Sequence, residues 1–258
     1  MKKVSGLVLL IISLTSCHHV YYAPNTANAP LLSEKGETRI NAFYTSGSDS
    51  DFGGGEIQAA TAVSKNIGVM ANFFSAGKSE VIRSYYNRYD SHTERGEGSY
   101  AEFAAGYFKN FDKSKRWIGE VYSGFGVGNV KNDYGFGDHS KVGIFKTFIQ
   151  PAIGYKAPYF EIAFVPKVSF INWKVKDSSI HSQENISVKN EINTIVKKKN
   201  FVAFEPAVLI RVGGKNFKIQ LGLSFSDYKS TDIYYSKDLI ETLNTSLGFS
   251  INFNTKKK

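Results

Sequence analysis

The chain has 258 residues, a formal net charge of +9, and 42% hydrophobic and 14% aromatic residues. This length allows one large β domain or two small domains, and the single cysteine excludes an intramolecular disulfide. Twenty Phe and 15 Tyr, against two Met and two Trp, favour strands and turns over helices. A mean hydropathy of −0.25 suits a soluble domain, but it also suits a spanning barrel with a polar lumen.

Residues 1–16 are typical of a signal peptide. Lys2 and Lys3 precede the apolar stretch 4–14, which is too short to cross a bilayer but has the length of a secretory signal's apolar region. The stretch leads into Leu14-Thr15-Ser16-Cys17, which resembles the lipobox of bacterial lipoproteins. The resemblance predicts cleavage before Cys17 and acylation of that cysteine, for example with palmitate. The alternative is an ordinary signal peptide with an incidental cysteine.

Residues 17–35 are expected to form the acylated cysteine and an extended tether. The stretch from Ala23 to Pro30 is rich in Pro, Asn and Ala and has no periodic pattern. Some bacteria send lipoproteins to the cell surface by means of acidic residues soon after the acylated cysteine. Residues 18–22 contain no acid, which predicts an anchor that faces the periplasm.

From Gly36 to Asn254, hydrophobicity alternates with a period of two, and no segment is assigned the period of a helix. The last strand is the clearest, since Leu247, Phe249 and Ile251 alternate with Gly248 and Ser250. Ten strands are predicted, at 37–46, 53–64, 66–77, 98–110, 116–129, 143–155, 158–174, 202–212, 217–226 and 243–254.

The strand lengths and connections predict an antiparallel, up-and-down transmembrane β-barrel over residues 36–254, followed by a basic tail at 255–258. The strands, at roughly 10 to 17 residues, are long for a soluble sheet but suit tilted strands in a bilayer. Long connections at 78–97, 130–142, 175–199 and 229–241 alternate with tight ones at 64–66, 112–116, 156–158 and 213–216. Outer-membrane barrels have long loops outside and short turns in the periplasm. An even strand count then predicts both termini on the periplasmic side.

Aromatic residues near strand ends are consistent with rings at the headgroup level of a membrane. These residues are Tyr44, Tyr107, Trp117, Tyr155, Tyr159, Trp173 and Phe253.

Taken together, the chain resembles uncharacterised small outer-membrane β-barrel lipoproteins of Bacteroidetes-like bacteria. The resemblance depends on Leu14-Thr15-Ser16-Cys17, on Tyr21-Tyr22-Ala23-Pro24-Asn25 leading to Pro30-Leu31-Leu32, and on the strand pattern that follows. It implies an outer-membrane location and brings no catalytic motif. The C terminus departs from typical barrels, because Phe253 is followed by Asn-Thr-Lys-Lys-Lys instead of ending the chain.

The alternation predicts ten charged residues on the lumen side of the strands. Isolated charges in a narrow interior are costly, so pairing into a structural network is the expected arrangement. A narrow path for an ion or solute is the alternative, although barrels of about this size are usually filled by side chains. The residues are Arg39, Glu56, Glu102, Glu120, Lys146, Glu161, Lys167, Glu205, Arg211 and Lys218.

Catalysis is a second class of function. Ten-stranded outer-membrane proteases of the omptin type use Asp and His residues at the extracellular rim, and the predicted loops contain such residues. No Ser-His-acid spacing, metal-ligand cluster or phosphate-binding glycine loop is present, so no catalytic residue, metal or cofactor is predicted. The candidate rim residues are His92, Asp133, Asp138, His139 and His181.

The loop at 174–200 is basic, and on an outer face it could contact the phosphates of lipopolysaccharide. Nucleic-acid binding is not expected of an exported chain whose bases are divided between two ends of a barrel. The alternative architecture is a soluble, lipid-tethered barrel that binds an apolar ligand as lipocalins do, with its apolar faces turned inward. The basic residues of the loop are Lys174, Lys176, Lys189, Lys197, Lys198 and Lys199.

Overall fold

A computed structural model describes residues 19–47, 52–83, 91–182, 185–228 and 239–255. Residues 1–18, with the predicted signal peptide and Cys17, and the terminal Lys256 to Lys258 lie outside the described residues. The elements are β1 (Glu37–Gly47), β2 (Gly53–Ala62), β3 (Ile67–Arg83), β4 (Ser91–Asn110), β5 (Trp117–Asp133), β6 (His139–Lys156), β7 (Phe160–Ser179), α1 (Ile186–Lys197), β8 (Asn200–Gly213), β9 (Phe217–Phe225), β10 (Asp227–Tyr228) and β11 (Leu243–Asn254).

Ten of these strands close into an antiparallel barrel, which confirms the predicted up-and-down topology. Each strand from β1 to β8 pairs with the next one in the chain, and β11 pairs with both β9 and β1. The ring closes where Glu37 of β1 faces Asn254 of β11. The two-residue β10 lies outside the ring, beside β8.

The two longest connections between barrel strands, 180–199 and 226–242, lie at one end of the barrel and four short turns lie at the other, as predicted. The connections 63–66, 111–116, 157–159 and 214–216 lie at one end, here called the turn end. The opposite end, the loop end, carries the remaining connections. Two predicted long loops are wrong in extent, since β3 and β4 run into 78–97 and β5 and β6 run into 130–142. Polar residues occupy both faces of these extensions, so the alternation that predicts strands is lost there.

The expectation of no helix after Gly36 is also wrong, because α1 forms within the basic connection between β7 and β8. Its buried side chains Val188, Ile192 and Ile195 are spaced four and three residues apart and pack in the cluster that contains Ile171 and Trp173. This spacing was present in the sequence, among lysines that indicated a loop. No helix among the described residues is both long and apolar enough to cross a membrane.

Apolar rows point out of the barrel and form a band that we call the apolar belt. We define it by the outward positions of 117–127 on β5, 145–155 on β6, 160–170 on β7 and 202–212 on β8, none of which carries a charge. Eleven residues of tilted strand rise about 25 Å, which is the height of the apolar band of an outer-membrane barrel.

Aromatic side chains lie on the outer surface near the turn end. Trp117 is 49% exposed and Tyr159 is 71% exposed, while the ring of Tyr155 packs edge-on against Trp117. Trp173 is an exception and corrects the predicted set. It is 4% exposed, because its odd-numbered position places it on the inward face of β7.

The barrel interior is filled by the residues that precede β1. Residues 19–32, here called the lumen segment, run without helix or strand structure from the loop end to the turn end. At the loop end His19 contacts Glu94 of β4 and Glu191 of α1. At the turn end Leu32 packs with Ala62 and Phe108. Every residue from Tyr21 to Leu32 is buried.

The two ends of the described chain therefore lie at opposite ends of the barrel. His19 lies at the loop end, whereas Asn254 lies at the turn end opposite Glu37. The expectation that the chain's N-terminal residues share the turn end with the C terminus is wrong. It followed from treating residues 17–35 as a tether outside the barrel. The residues before β1 are extended, as expected, but they run through the lumen and not outside the barrel.

Candidate functional site in the barrel lumen

All ten charged residues assigned to the lumen by the alternation are buried. Their exposed fractions range from 1% for Arg39 to 5% for Glu120. Burial of so many charges is stable only if each finds a partner of opposite charge or a hydrogen bond. The partners fall into two ionic clusters and a set of contacts to the lumen segment.

The first ionic cluster lies toward the turn end and is centred on Glu161 of β7. Its carboxylate accepts two hydrogen bonds from Arg39, at 2.5 and 3.0 Å, and one from Arg211 at 3.1 Å. Lys218 lies 3.2 Å from the same carboxylate. Three bases thus share one acid, and the geometry with Arg39 is the two-pronged contact that guanidinium groups favour.

A neighbouring ion pair was missed by the sequence prediction. Lys156 pairs with Glu37, and its ammonium also donates to the carbonyl oxygen of Leu31 at 2.9 Å. Glu37 in turn accepts from the backbone N–H of Ser33 at 2.7 Å. Adding this pair to the ten predicted lumen residues gives six acids and six bases.

The second ionic cluster lies nearer the loop end and is centred on Glu102 of β4. Lys146 and Lys167 approach its carboxylate to 2.5 and 3.2 Å. Asn72 donates to the same group at 3.0 Å, and Asn25 of the lumen segment donates at 2.8 Å. The cluster therefore joins wall strands to the lumen segment.

Besides Glu102, three predicted lumen carboxylates bind the lumen segment directly. Glu56 accepts from the backbone N–H of Thr26 at 3.0 Å, and Glu120 accepts from the N–H of Leu32 at 2.9 Å. Glu205 accepts from the hydroxyl of Tyr22. The expectation that the lumen charges pair only with one another was too simple, because part of the wall charge holds the chain's own N-terminal residues.

Wall side chains also satisfy the backbone carbonyls of the lumen segment. Gln58 donates to Thr26 at 2.7 Å and Gln150 to Asn28 at 2.8 Å. Arg211 donates to Ala29 at 2.7 Å. Beyond Tyr22 the extended segment has no paired strand and needs such partners, since unpaired buried carbonyls and N–H groups are costly. The wall thus supplies, from side chains, the hydrogen bonds that a sheet would supply from backbone.

Two inward glycines leave room for the lumen segment. A Cβ atom on Gly154 would lie 2.5 Å from Leu31 Cδ2, and one on Gly222 would lie 3.0 Å from Thr26 Cγ2. These distances are shorter than ordinary contacts between carbon atoms, so larger side chains would displace the segment. The lumen is fitted to the segment in shape as well as in charge.

The loop end of the lumen segment is held between two carboxylates. His19 lies 2.9 Å from Glu94 through Nε2 and 3.2 Å from Glu191 through Nδ1, and its ring packs edge-on against Tyr134. Burial alone lowers the pKa of His19, but the hydrogen bonds and charges of Glu191 and Glu94 outweigh it and raise the pKa to about 9. His19 is therefore an imidazolium at neutral pH.

The rim residues considered for protease activity have structural partners instead of a shared site. Asp138 accepts from the backbone N–H groups of His181 and Ser182, at 2.8 and 3.0 Å. His139 lies 3.4 Å from Asp177 and His92 lies 3.2 Å from Glu94. Asp133 accepts from the N–H of Gly135 at 3.0 Å. Within the described ranges, no group of three or more His, Cys, Asp or Glu side chains could hold a metal ion.

The basic loop is divided between two elements. Lys174 and Lys176 are exposed on β7, on the loop-end side of the apolar belt, and Lys176 donates to Asn129 at 2.5 Å. Lys189 and Lys197 are exposed on α1, and Lys198 and Lys199 follow the helix. These lysines therefore face solvent at the loop end and do not enter the lumen.

A small cavity lies beside the loop end of the lumen segment. Its volume is about 60 Å³, and its apolar wall includes Tyr22, Phe74, Tyr100 and Ile144. This space suits a few water molecules.

No protein-family model matches the chain, and a search of curated proteins also gives no match.

Proposed function

We propose that this protein is an outer-membrane β-barrel lipoprotein that is closed by its own N-terminal segment and has a structural or surface-interaction role. The main support for the proposal is that apolar side chains lie on the outer face of the barrel wall and charged side chains lie on its inner face. The apolar belt has no charge over about 25 Å, while ten predicted charges are buried inside. A barrel surrounded by lipid needs this division, because a Lys or Arg facing lipid costs about 2–4 kcal/mol at mid-bilayer.

The lumen contents favour a closed barrel over a solute channel. The segment from Tyr21 to Leu32 occupies the interior and is held by Glu56, Glu120 and Arg211. A conducting path would require these buried hydrogen bonds to break. The ionic clusters are therefore best explained as the means by which the barrel retains its plug.

The lipocalin-like alternative predicts the reverse arrangement of faces and a large internal cavity. In this barrel the charged side chains are buried in the lumen and the large apolar side chains of the strands are exposed on the outside. This arrangement of faces favours the membrane barrel.

Lipid phosphates are the proposed partners of the basic residues next to the apolar belt. Lys174 and Lys176 follow the last belt residue of β7, Phe170, on the same outer face. Ammonium groups at this level would meet the headgroup phosphates of the outer leaflet, including those of lipopolysaccharide.

The test of the membrane proposal is a pair of lysine substitutions in the full chain. Leu247→Lys introduces a charge at an exposed apolar position of β11, and Thr93→Lys introduces the same charge at an exposed polar position near the loop end. The Leu247→Lys variant should lose membrane-integrated, heat-modifiable protein on unboiled SDS gels, whereas Thr93→Lys should match the parent. Equal behaviour of the two variants, or release of the parent by carbonate, would contradict the proposal.

Acylation of Cys17 is tested separately by mass spectrometry of membrane extracts. The parent should carry the mass of the lipid on its N-terminal cysteine, and Cys17→Ser should lose it. A parent chain without that mass would contradict the lipoprotein assignment and leave the barrel assignment intact.

A further inference from the structure

We infer that the mature N terminus is displayed on the cell surface, delivered there by the barrel that encloses it, while the C terminus faces the periplasm. This inference depends on the proposed outer-membrane function, since that function identifies the loop end with the outside. The geometric part of the argument is independent of it. The lumen segment has a fixed direction, and its N-terminal end lies among the long connections.

The direction of the lumen segment is set at both of its ends. At the loop end Tyr21 and Tyr22 lie alongside residues 239–241, just before β11. Tyr21 donates its backbone N–H to the carbonyl of Leu239 at 2.8 Å, and Glu241 donates its backbone N–H to the carbonyl of Tyr22 at 2.8 Å. At the turn end the N–H of Leu32 bonds Glu120, and the chain turns into β1 at Glu37. A reversed segment would lose all of these contacts.

The register of the segment is also fixed between its ends. Thr26, Asn28 and Ala29 each bond a different wall side chain through the backbone, from Glu56, Gln150 and Arg211 respectively. The side chain of Leu31 fits over Gly154. Sliding the lumen segment by one residue would break all of these hydrogen bonds at once. The segment therefore cannot be withdrawn toward the turn end without leaving these wall side chains without their partners.

The chain before His19 must therefore leave the barrel at the loop end. Cys17 precedes His19 by two positions, a reach of about 7 Å. Cys17 therefore belongs on the loop side of the barrel, which is the outside under the proposed function. Residues 18–22 contain no acid, which predicted a periplasmic anchor from sequence. The inference departs from that prediction because the barrel, and not an acidic export signal, would carry the N terminus outward.

The test uses one short epitope placed in three positions of the full-length chain. One variant carries it between His18 and His19, a second in the connection between β7 and α1, and a third in the turn after Gly214. Antibody binding is measured on intact cells of a Gram-negative host and again after permeabilisation of the outer membrane. Heat-modifiable migration shows that each variant is folded.

The N-terminal and loop epitopes should both bind antibody on intact cells, and the turn epitope should bind only after permeabilisation. An N-terminal epitope that stays hidden while the loop epitope is bound would overturn the inference and leave the membrane proposal standing. If the turn epitope alone is bound, or if all three stay hidden, the proposed orientation fails and surface display fails with it. If the N-terminal insertion prevents folding, His18→Cys with a membrane-impermeant maleimide answers the same question, with the parent chain as background.

Discussion

Arg211 of β8 donates a 2.7 Å hydrogen bond to the backbone carbonyl of Ala29, 182 residues earlier in the chain. The same guanidinium donates to Glu161 at 3.1 Å and to Gln220 at 2.5 Å. One wall side chain therefore links the ionic cluster, the neighbouring strand and the lumen segment. The segment and the charge network are one structure, and their energetics should be coupled.

Replacing Arg211 with Met should lower the free energy of unfolding by about 2–4 kcal/mol, because it removes a buried charge partner and leaves the Ala29 carbonyl unpaired. Glu161 keeps Arg39 and Lys218, which limits the loss. The measurement is the urea midpoint of the mobility shift on unboiled gels. Arg116→Met, at an exposed position in a turn, is the matched control and should change the midpoint little. Similar shifts in both variants would contradict the coupling.

Replacing Glu205 with Leu should destabilise the barrel. Its carboxylate accepts from the hydroxyls of Tyr22 and Ser169, and its charge interacts with the lysines of the second ionic cluster, Lys146 and Lys167. Each hydroxyl proton left without an acceptor costs about 1–3 kcal/mol. Glu205→Gln, which keeps an acceptor, should lose less. Adding Tyr22→Phe to Glu205→Leu should recover part of the loss in a double-mutant cycle, and the absence of recovery would exclude this pairing.

Raising the pH should loosen the loop end of the lumen segment. The pKa of His19 is raised from 6.5 to about 9 in the folded protein, so its contribution is complete below pH 6.5 and is lost as the pH rises through about 9. The shift corresponds to roughly 3 kcal/mol. The groups around the ring are Glu94 of β4, with His92 bonded to it, Glu191 of α1, Tyr134 and Tyr21. Hydrogen exchange of the backbone amides of residues 20–23 should accelerate between pH 7 and pH 10.

His19→Gln is the control for that experiment, because Gln can bond one carboxylate but has no charge to lose. The variant should exchange faster than the parent at pH 7 and should show no further transition near pH 9 beyond the chemical rate. A parent profile that is flat after correction for the chemical rate would mean that His19 does not hold the segment.

Replacing Gly154 with Leu should displace the turn end of the lumen segment. A Cβ atom at this position already meets Leu31, so the larger side chain forces a shift that costs about 1–3 kcal/mol. Gly55→Leu is the matched control, since Gly55 is exposed and its Cβ would meet only Phe43 O at 3.8 Å. Protease resistance of residues 26–32 is the measurement. Leu31→Ala should partly restore it in the Gly154→Leu background, and a lack of restoration would point to distortion of the wall instead.

The barrel wall was predictable from sequence because its pattern is local. A strand with one face toward a polar lumen and an apolar face on the outside alternates at every residue, as Leu247 to Ile251 do. The same alternation correctly placed residues as far apart as Arg39 and Lys218 in one interior. It failed where the chain extends beyond the belt, as at 78–83 and 91–97, because polar residues then occupy both faces.

The lumen segment was not predictable in the same way because its partners are distant in sequence. Tyr22 bonds Glu205, and Leu32 bonds Glu120, with no local period that would reveal either contact. A compositional signal was nevertheless present. Tyr21, Tyr22, Leu31 and Leu32 are large apolar residues in a stretch that was expected to be a solvated tether, and burial is their usual environment.

The pairing of β1 with β11 has a consequence for biogenesis. These are the first and last strands to leave the ribosome, so the lumen does not exist as an enclosed space until the whole barrel has been synthesised. The lumen segment precedes β1, yet its binding surface is assembled from β2 to β11. The lumen segment is thus synthesised before every strand but completes its contacts last. The sheet must close around it before Glu37 pairs with Asn254.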